Sequence, residues 1–416
     1  MNKPLIRYLV SSPYGDIPAD ENKWDVPLEG DELKTPYRIY FHTIRDFLSQ
    51  DQFKPFLSSI SQKLGKEIHL KEVNEIIVRT EKHGLLYHPA SVESILKEGR
   101  AKFGLNVAIA DMGRHWLKEE YGVLQKLHTK FDLPYLPRVY CFGELNALSF
   151  LLEDWFEGYH EFHISKDKDG TQRLKLWDFD HGYTYLSTDQ SFEIYKQASQ
   201  ILTLYYDLKD FSQIFPWHHA AGDFVVRIED KAIGHPHPNP PPLRGRADRG
   251  SPLSREGESI SFADKYPPST GRRGLGGGGI DVRLTTARQY EPFIGFVDED
   301  ALNPILALCY YFLNLTIRMR LDKVDGLEEV VWADDSCVKA TLIGFFEALQ
   351  LKGELKNYFG QEEDFASLLQ TFNQEELKTI FYPLIDQYRG TEDFPVITSN
   401  IDRHVSEIYT TLQNLP

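Results

Sequence analysis

Residues 216–228 are Pro-Trp-His-His-Ala-Ala-Gly-Asp-Phe-Val-Val-Arg-Ile, and residues 280–286 are Ile-Asp-Val-Arg-Leu-Thr-Thr. Both stretches contain short runs rich in β-branched residues, which are typical of strands. We therefore predict one β-hairpin whose first strand follows Asp223 and whose second begins near Ile280. A linker between two domains is the alternative, and the strand-like sequence on both sides disfavours it.

The segment 234–279 between these strands is rich in proline, glycine and arginine and has almost no apolar residues. Such a segment cannot bury enough surface to offset the entropy of ordering it. We predict a disordered inserted loop at the tip of the hairpin. Its start is rich in proline and its end is rich in glycine. Proline codons read on the complementary DNA strand supply runs of G, as in glycine codons, so the two ends fit opposite strands of one DNA repeat. We therefore interpret the segment as a mobile palindromic element inserted into the gene.

Hydrophobic spacing predicts mainly strands in the N-terminal half, after two short helices at 36–48 and 53–64. A single helix at 114–131, with apolar residues at helical spacing, falls within the strand-rich part. Five strands are predicted, at 75–79, 91–95, 105–110, 136–142 and 149–156.

Helices dominate the prediction beyond residue 190, apart from the hairpin. Their predicted ranges are 191–208, 303–321, 336–351, 365–371, 374–387 and 397–412. The sequence thus predicts an α+β protein in which a strand-rich part precedes a helix-rich part.

The overall charge and cysteine content exclude several classes of protein. The chain has 416 residues and a formal net charge of −16, which disfavours general nucleic-acid binding. Three scattered cysteines support neither a disulfide framework nor a thiolate zinc site. No stretch approaches the ~18 apolar residues of a membrane span, and the N-terminus lacks a signal-peptide pattern. We predict a cytoplasmic protein that does not bind membranes.

The predicted order of elements resembles the protein-kinase-like superfamily, particularly its aminoglycoside and choline phosphotransferase branch, over about residues 70–390. The resemblance implies a two-lobed fold with a β-rich N-lobe and a helical C-lobe. The corresponding division is a helical extension at 1–69, the N-lobe at 70–158 and the C-lobe at 159–416, with the insertion at 234–279.

The sequence before the hairpin is similar to the family's His-Gly-Asp catalytic loop. The resemblance implies that Asp223 is the base that accepts a hydroxyl proton, with His219 or His218 as its structural support. The family places a magnesium-binding asparagine five residues after this aspartate, whereas position 228 is isoleucine. The match therefore does not extend to the metal ligand.

Nucleotide phosphates would lie near the turn between the first two predicted strands. Its Lys82 and Gly84 stand where the family has a glycine-rich loop, although a polar hairpin turn is the alternative interpretation. Position 110 is alanine where the family has its nucleotide-binding lysine. By the resemblance, Lys82 would supply that charge, and Glu120 or its neighbour Glu119 would be the carboxylate that supports it.

The residues after the hairpin also depart from the family pattern. Thr285, Thr286 and Arg288 stand near the place of a magnesium-binding aspartate, while Asp281 comes early. Arg288 would therefore bind a phosphate or carboxylate directly rather than through a cation. Asp281 remains a candidate metal ligand.

Another candidate metal site is the segment Trp-Asp-Phe-Asp-His that begins at residue 177. On a strand, Asp178 and Asp180 would share one face, with His181 adjacent in sequence. Carboxylate and imidazole ligands suit zinc, iron or manganese. The alternative is that the two aspartates cap a turn or join a polar network.

Three functional hypotheses follow. The first is a kinase-like nucleotide-binding protein of the pseudokinase type, which binds ATP or a partner protein and acts as a binding or scaffold protein. The second is an active ATP-dependent small-molecule phosphotransferase that uses Asp223 as base, in which magnesium would be expected but its ligands are not matched. The third is a metal-dependent enzyme with a His/Asp site. The sequence does not identify a phosphoryl acceptor.

Overall fold

The N-terminal part of the chain folds around one large sheet. Its first elements are β1 (Leu5–Val10), β2 (Ile17–Pro18), α1 (Tyr37–Leu48) and α2 (Lys54–Leu64). The computed structural model describes residues 3–12, 15–19, 24–81, 84, 86–167, 169–178, 182–218, 222–229, 279–292, 303–323, 330–352 and 362–414.

The predicted strands and their single helix are confirmed as β3 (Val73–Thr80), β4 (Ala90–Leu96), β5 (Arg100–Ala108), α3 (Asp111–Lys130), β6 (Val139–Leu145) and β7 (Leu148–Asp154). They join β1 and β2 in a seven-stranded sheet with the order β2-β1-β3-β4-β5-β7-β6. The sequence analysis did not predict β1, which pairs in parallel with β3 from Leu5 opposite Glu75.

A second sheet lies in the middle of the chain. Its region contains β8 (His160–Lys166), β9 (Gln172–Asp178), β10 (Gly182–Tyr185), α4 (Thr188–Tyr205), β11 (Ser212–Phe215), β12 (Phe224–Ile228), β13 (Ile280–Leu284) and β14 (Gln289–Pro292). Five of the strands form a sheet with the order β10-β9-β8-β12-β13, and β11 pairs with β14. The sequence analysis did not predict β8, β10, β11 or β14.

The predicted hairpin is confirmed. β12 and β13 pair antiparallel, with Phe224 opposite Leu284 and Ile228 opposite Ile280. The backbone N–H of Glu229 donates to the carbonyl of Gly279 at 2.7 Å, so the hairpin pairing extends to these two residues. The predicted disorder of 234–279 falls outside the described residues, except for Gly279.

Helices dominate the C-terminal part, as predicted. The elements are α5 (Pro304–Arg318), β15 (Leu321–Lys323), β16 (Val330–Trp332), α6 (Ser336–Lys352), α7 (Glu362–Thr371), α8 (Gln374–Gln387) and α9 (Asp393–Gln413). Side-chain caps fix two of the helix starts, since Asn303 accepts from the N–H of Ile305 and Asn373 accepts from that of Glu376. The chain is thus a mixed α+β protein with a sheet first and helices after it.

Two hydrophobic cores hold these parts together. The smaller core packs α1 and α2 against one side of the large sheet, with Phe47 stacked on Phe150 at 4.6 Å between ring centroids. The larger core joins α3 to α4, the second sheet and the C-terminal helices. Consequently α3 belongs to the core that contains the hairpin, although it lies between two strands of the large sheet in sequence. No helix among the described residues is long and apolar enough to cross a membrane.

Candidate functional site

Asp223 lies at the start of β12, where two backbone contacts fix its position. The N–H of His218 donates to its Oδ2 at 2.8 Å, and the N–H of Thr285 donates to its backbone carbonyl at 2.7 Å. Gly222 precedes it with a φ of +82°, a conformation that glycine adopts without strain. Asp223 is only 5% exposed, so its carboxylate points into the protein rather than into bulk water.

Arg288, which follows β13, meets this carboxylate. Its Nη2 lies 3.3 Å from Asp223 Oδ1, and its side chain is 21% exposed. Burial alone would lower the pKa of Arg288, but the carboxylates of Asp223 and Glu120 more than offset burial and raise the pKa. Arg288 therefore remains a cation in the folded protein.

Glu120 brings α3 into the same site. It is 1% exposed; its Oε2 accepts from the Tyr87 hydroxyl at 3.0 Å, and its Oε1 accepts from the Thr286 hydroxyl. Burial raises the pKa of Glu120, and Arg288 is the main opposing influence. We call Asp223, Arg288, Glu120, Thr286 and Tyr87 together the Asp223 site.

A close approach of backbones positions the turn that carries Tyr87. Gly113 lies in the first turn of α3, and a Cβ atom there would be 2.3 Å from the carbonyl oxygen of Leu86. Only glycine allows α3 and this turn to come so close. The N–H of His88 also donates to the carbonyl of Val107 at 2.8 Å, which ties the turn to β5.

The predicted phosphate-binding residues of this turn are described only in part. Gly84 donates its N–H to the carbonyl of Tyr87 at 3.0 Å and so closes a tight turn. Lys82 lies outside the described residues. Within the described part of this turn, Tyr87 reaches Glu120. No sequence pattern predicts this contact.

A further pair of polar residues lies on adjacent strands of the large sheet. Asn106 on β5 donates to Glu153 Oε1 on β7 at 2.9 Å. Burial raises the pKa of Glu153 well above its usual value, and the nearby Glu120 raises it further. Two buried carboxyl groups thus lie within electrostatic range of each other at this end of the sheet.

The imidazole of His218 is the described member of the predicted histidine pair. Its Nδ1 is 3.9 Å from Asp223 Oδ2. Burial and the cation of Arg318 lower the pKa of His218, so it is neutral at pH 7. His219 lies outside the described residues.

The candidate metal ligands are not brought together by the described structure. Asp281 accepts from the Tyr159 hydroxyl at 2.6 Å and pairs with Arg283 and Arg227 at 3.0 and 3.3 Å. Asp178 ends β9, but its side chain, like Asp180 and His181, lies outside the described part. Among the described residues, no group of three or more His, Cys, Asp or Glu side chains could hold a metal ion.

The guanidinium of Arg288 is not fully used by its contacts among the described residues. Arg288 has a carboxylate partner on one side, and its Nε has no hydrogen-bond acceptor within the described ranges. A guanidinium with unused donors can bind phosphate oxygens. The site therefore combines a fixed cation with two buried carboxylates.

No family model matches the chain, and no curated protein sequence matches it significantly.

Proposed function

We propose that this chain is a kinase-like nucleotide-binding protein of the pseudokinase type. Support comes from the strand order β3-β4-β5-β7-β6 and from α3, which connects β5 to β6. It also comes from Asp223, which stands directly before an antiparallel hairpin whose second strand leads to Thr286. In a two-lobed interpretation, the large sheet is the N-lobe, and the hairpin with the later helices is the C-lobe.

The observation that carries the proposal is the convergence of three chain segments on Arg288. Asp223 precedes the hairpin, Arg288 follows it, and Glu120 comes from α3. In active kinases a lysine on the third strand pairs with the glutamate of this helix. Alanine occupies position 110 here, and Arg288 is the cation that stands between the glutamate and the aspartate.

The same residues favour nucleotide binding without a divalent cation. Thr286 donates its hydroxyl to Glu120, and Ile228 is a strand residue of the hairpin. Neither supplies a carboxylate or amide oxygen for magnesium. A triphosphate would therefore be neutralised by Arg288 directly, and a protein with this chemistry would bind ATP or a partner protein rather than turn substrate over.

Thermal-shift titration with ATP, in excess magnesium and separately in EDTA, tests this proposal. We expect stabilisation in both buffers, since a ligand at 100 times its Kd adds about 2.7 kcal/mol to the stability of the native state. Arg288→Gln should abolish the response. Arg389→Gln should retain it, because Arg389 is exposed on the helical side and pairs only locally with Asp386.

Two results would reject the proposal in different ways. A wild-type protein that responds to ATP in neither buffer does not bind nucleotide. Equal responses of the wild type and Arg288→Gln would mean that ATP binds elsewhere.

An active phosphotransferase is the second candidate, and the rigid placement of Asp223 favours it. The backbone N–H of His218 orients Asp223 Oδ2, as a general base requires. ATP consumption with a panel of small alcohols and magnesium tests this function. We expect Asp223→Asn to abolish turnover with ATP affinity within a few fold, and unchanged turnover would reject Asp223 as base. The metal-dependent alternative stays a prediction for Asp178 and Asp180, to be checked by metal analysis of the purified protein.

A further inference from the structure

A second ionisable pair lies against the Asp223 site. β12 pairs antiparallel with β8, with Val225 opposite Glu161 and Val226 opposite His160. A Cβ atom on Gly222 would be 3.3 Å from Glu161 Oε1, so the side chain of Glu161 reaches the Asp223 loop. His163 follows Glu161 by two residues, on the same face of β8.

Asp322 lies behind His163. It is on β15, which packs on β8, and it is 2% exposed. Neither oxygen of Asp322, nor His163 Nε2, has a hydrogen-bond partner of normal geometry in the part of the chain that the structure describes. The nearest charged contact of His163 Nε2 is Glu161 Oε2 at 3.5 Å. Buried polar groups are nearly always satisfied, and exceptions often mark functional sites.

The surroundings of Asp322 favour its neutral form. Burial, with a smaller contribution from the charge of Asp223, raises the pKa of Asp322 to about 7. The backbone N–H groups of Lys323 and Ile164, together with His163, oppose this increase. From α4, Tyr195 faces the same carboxyl, and its own pKa is raised by burial and by Asp322 among other groups.

We propose that His163 and Asp322 form a polar pair in the wall of the Asp223 site, and that its carboxyl group, Asp322, takes up a proton when an anionic ligand binds at Arg288. The pair itself follows from the packing of β15 on β8, the burial of Asp322 and the atoms of both residues that have no partner among the described residues. Its coupling to a ligand rests on the proposed nucleotide binding. Asp322 is too buried to touch a ligand, so it acts as a positioning residue through His163.

Unfolding measurements without ligand test the pair first. A carboxyl group whose pKa is raised in the folded state binds more protons folded than unfolded, so wild-type stability falls as the pH rises from about 4 to 7. Asp322→Asn removes this loss. The ratio of the unfolding equilibrium constant of Asp322→Asn to that of the wild type should therefore fall about tenfold or more between pH 5 and pH 8. The exposed control Asp386→Asn should show a ratio to wild type that does not change with pH. A flat ratio for Asp322→Asn would overturn the proposal.

The same measurement in two other backgrounds tests the neighbours of Asp322. Asp223→Asn removes a negative charge and lowers the folded-state pKa of Asp322, so the stability advantage of Asp322→Asn should level off at lower pH and be smaller at pH 8 in that background. His163→Gln removes a group that lowers the pKa of Asp322, so in its background the advantage should level off at higher pH and be larger. This second variant keeps the test valid should Asp223→Asn fail to fold. If the pH dependence of this stability advantage is unchanged in a background that folds, the assigned contact between Asp322 and the substituted residue is wrong.

Calorimetric titration with ATP at pH 7, in two buffers that differ in ionisation enthalpy, tests the coupling. We expect proton uptake in the wild type and in Asp386→Asn, and a clearly smaller uptake in Asp322→Asn. Equal uptake in all three proteins would overturn the coupling. If the wild type does not bind ATP, both the proposed nucleotide binding and the coupling are rejected. The unfolding measurements without ligand would still test the pair of His163 and Asp322.

Discussion

Arg288 and Asp223 are 65 residues apart in sequence, yet Arg288 Nη2 lies 3.3 Å from Asp223 Oδ1. The hairpin causes this proximity, because Asp223 directly precedes β12 and Arg288 lies four residues beyond β13. The pair therefore closes the open end of the hairpin, opposite to the tip that carries the inserted segment. Four predictions follow from this arrangement and from the contacts around it.

Removal of the Arg288 charge should destabilise the protein. Arg288→Gln leaves the buried carboxylates of Asp223 and Glu120 without their cation, which costs about 3 kcal/mol at pH 7. The loss should be smaller at pH 5, because Glu120, whose pKa is raised, is more readily protonated there. Urea unfolding at both pH values measures this. Arg288→Lys should recover part of the loss, and an equal loss at both pH values would contradict the assigned pairing.

The hydroxyl of Thr286 should contribute measurably to stability. Thr286→Val keeps the shape of the side chain but removes the donor to Glu120. A lost hydrogen bond to a buried carboxylate costs about 2 kcal/mol. Thr379→Val on exposed α8 is the matched control and should change the free energy of unfolding by less than about 0.5 kcal/mol. Similar effects of the two substitutions would show that the contact with Glu120 is not important for stability.

Two glycines of α3 should respond in opposite ways to alanine. Gly113→Ala places a Cβ 2.3 Å from the Leu86 carbonyl, whereas a Cβ on Gly122 meets nothing within 4 Å. We expect a loss of about 2 kcal/mol or more for Gly113→Ala, because the turn must move away from α3. Gly122→Ala should gain about 0.8 kcal/mol from helix propensity. Thermal unfolding compares them, and equal effects would argue against the close contact of α3 with the turn.

The inserted segment should be dispensable for folding. Glu229 and Gly279 are hydrogen-bonded neighbours, so replacing residues 230–278 by Asn-Gly would close a two-residue hairpin without strain. We expect a folded protein that is at least as stable as the full chain, because closing a flexible loop of 49 residues costs up to about 3 kcal/mol more than closing one of two. Circular dichroism and urea unfolding test this. A protein that no longer folds would show that the replaced residues contribute to the core.

The elements with long periodic patterns could be predicted from sequence alone. The helices α3, α4, α8 and α9 follow from apolar residues at helical spacing, and the hairpin follows from its two β-branched runs. β1 could not be predicted as part of the large sheet, because its pairing with β3 joins residues about 70 positions apart. Local sequence carries no information about such a partner.

The candidate site likewise contains residues that could be predicted from sequence and residues that could not. Asp223, Glu120 and Arg288 were singled out from their positions relative to predicted elements, and the structure brings these three together. Tyr87 and Thr286 carry ordinary side chains in a turn and a loop, so their contacts with Glu120 depend on how closely α3 approaches both segments. The tandem histidines were singled out in the sequence, whereas the pairing of β12 with β8, the strand that carries His163, is visible only in the structure.

The sequence by itself determined the α+β class, the strands β3 to β7 with α3 among them, and the hairpin of β12 and β13. These properties depend on local hydrophobic spacing and on backbone preferences, which each segment carries within itself. Only the tertiary structure decided that Arg288 stands between Asp223 and Glu120 and that Asp322 is buried behind His163. The pairing of distant charges, and the burial that shifts their pKa values, depend on the packing of elements remote from one another in the chain.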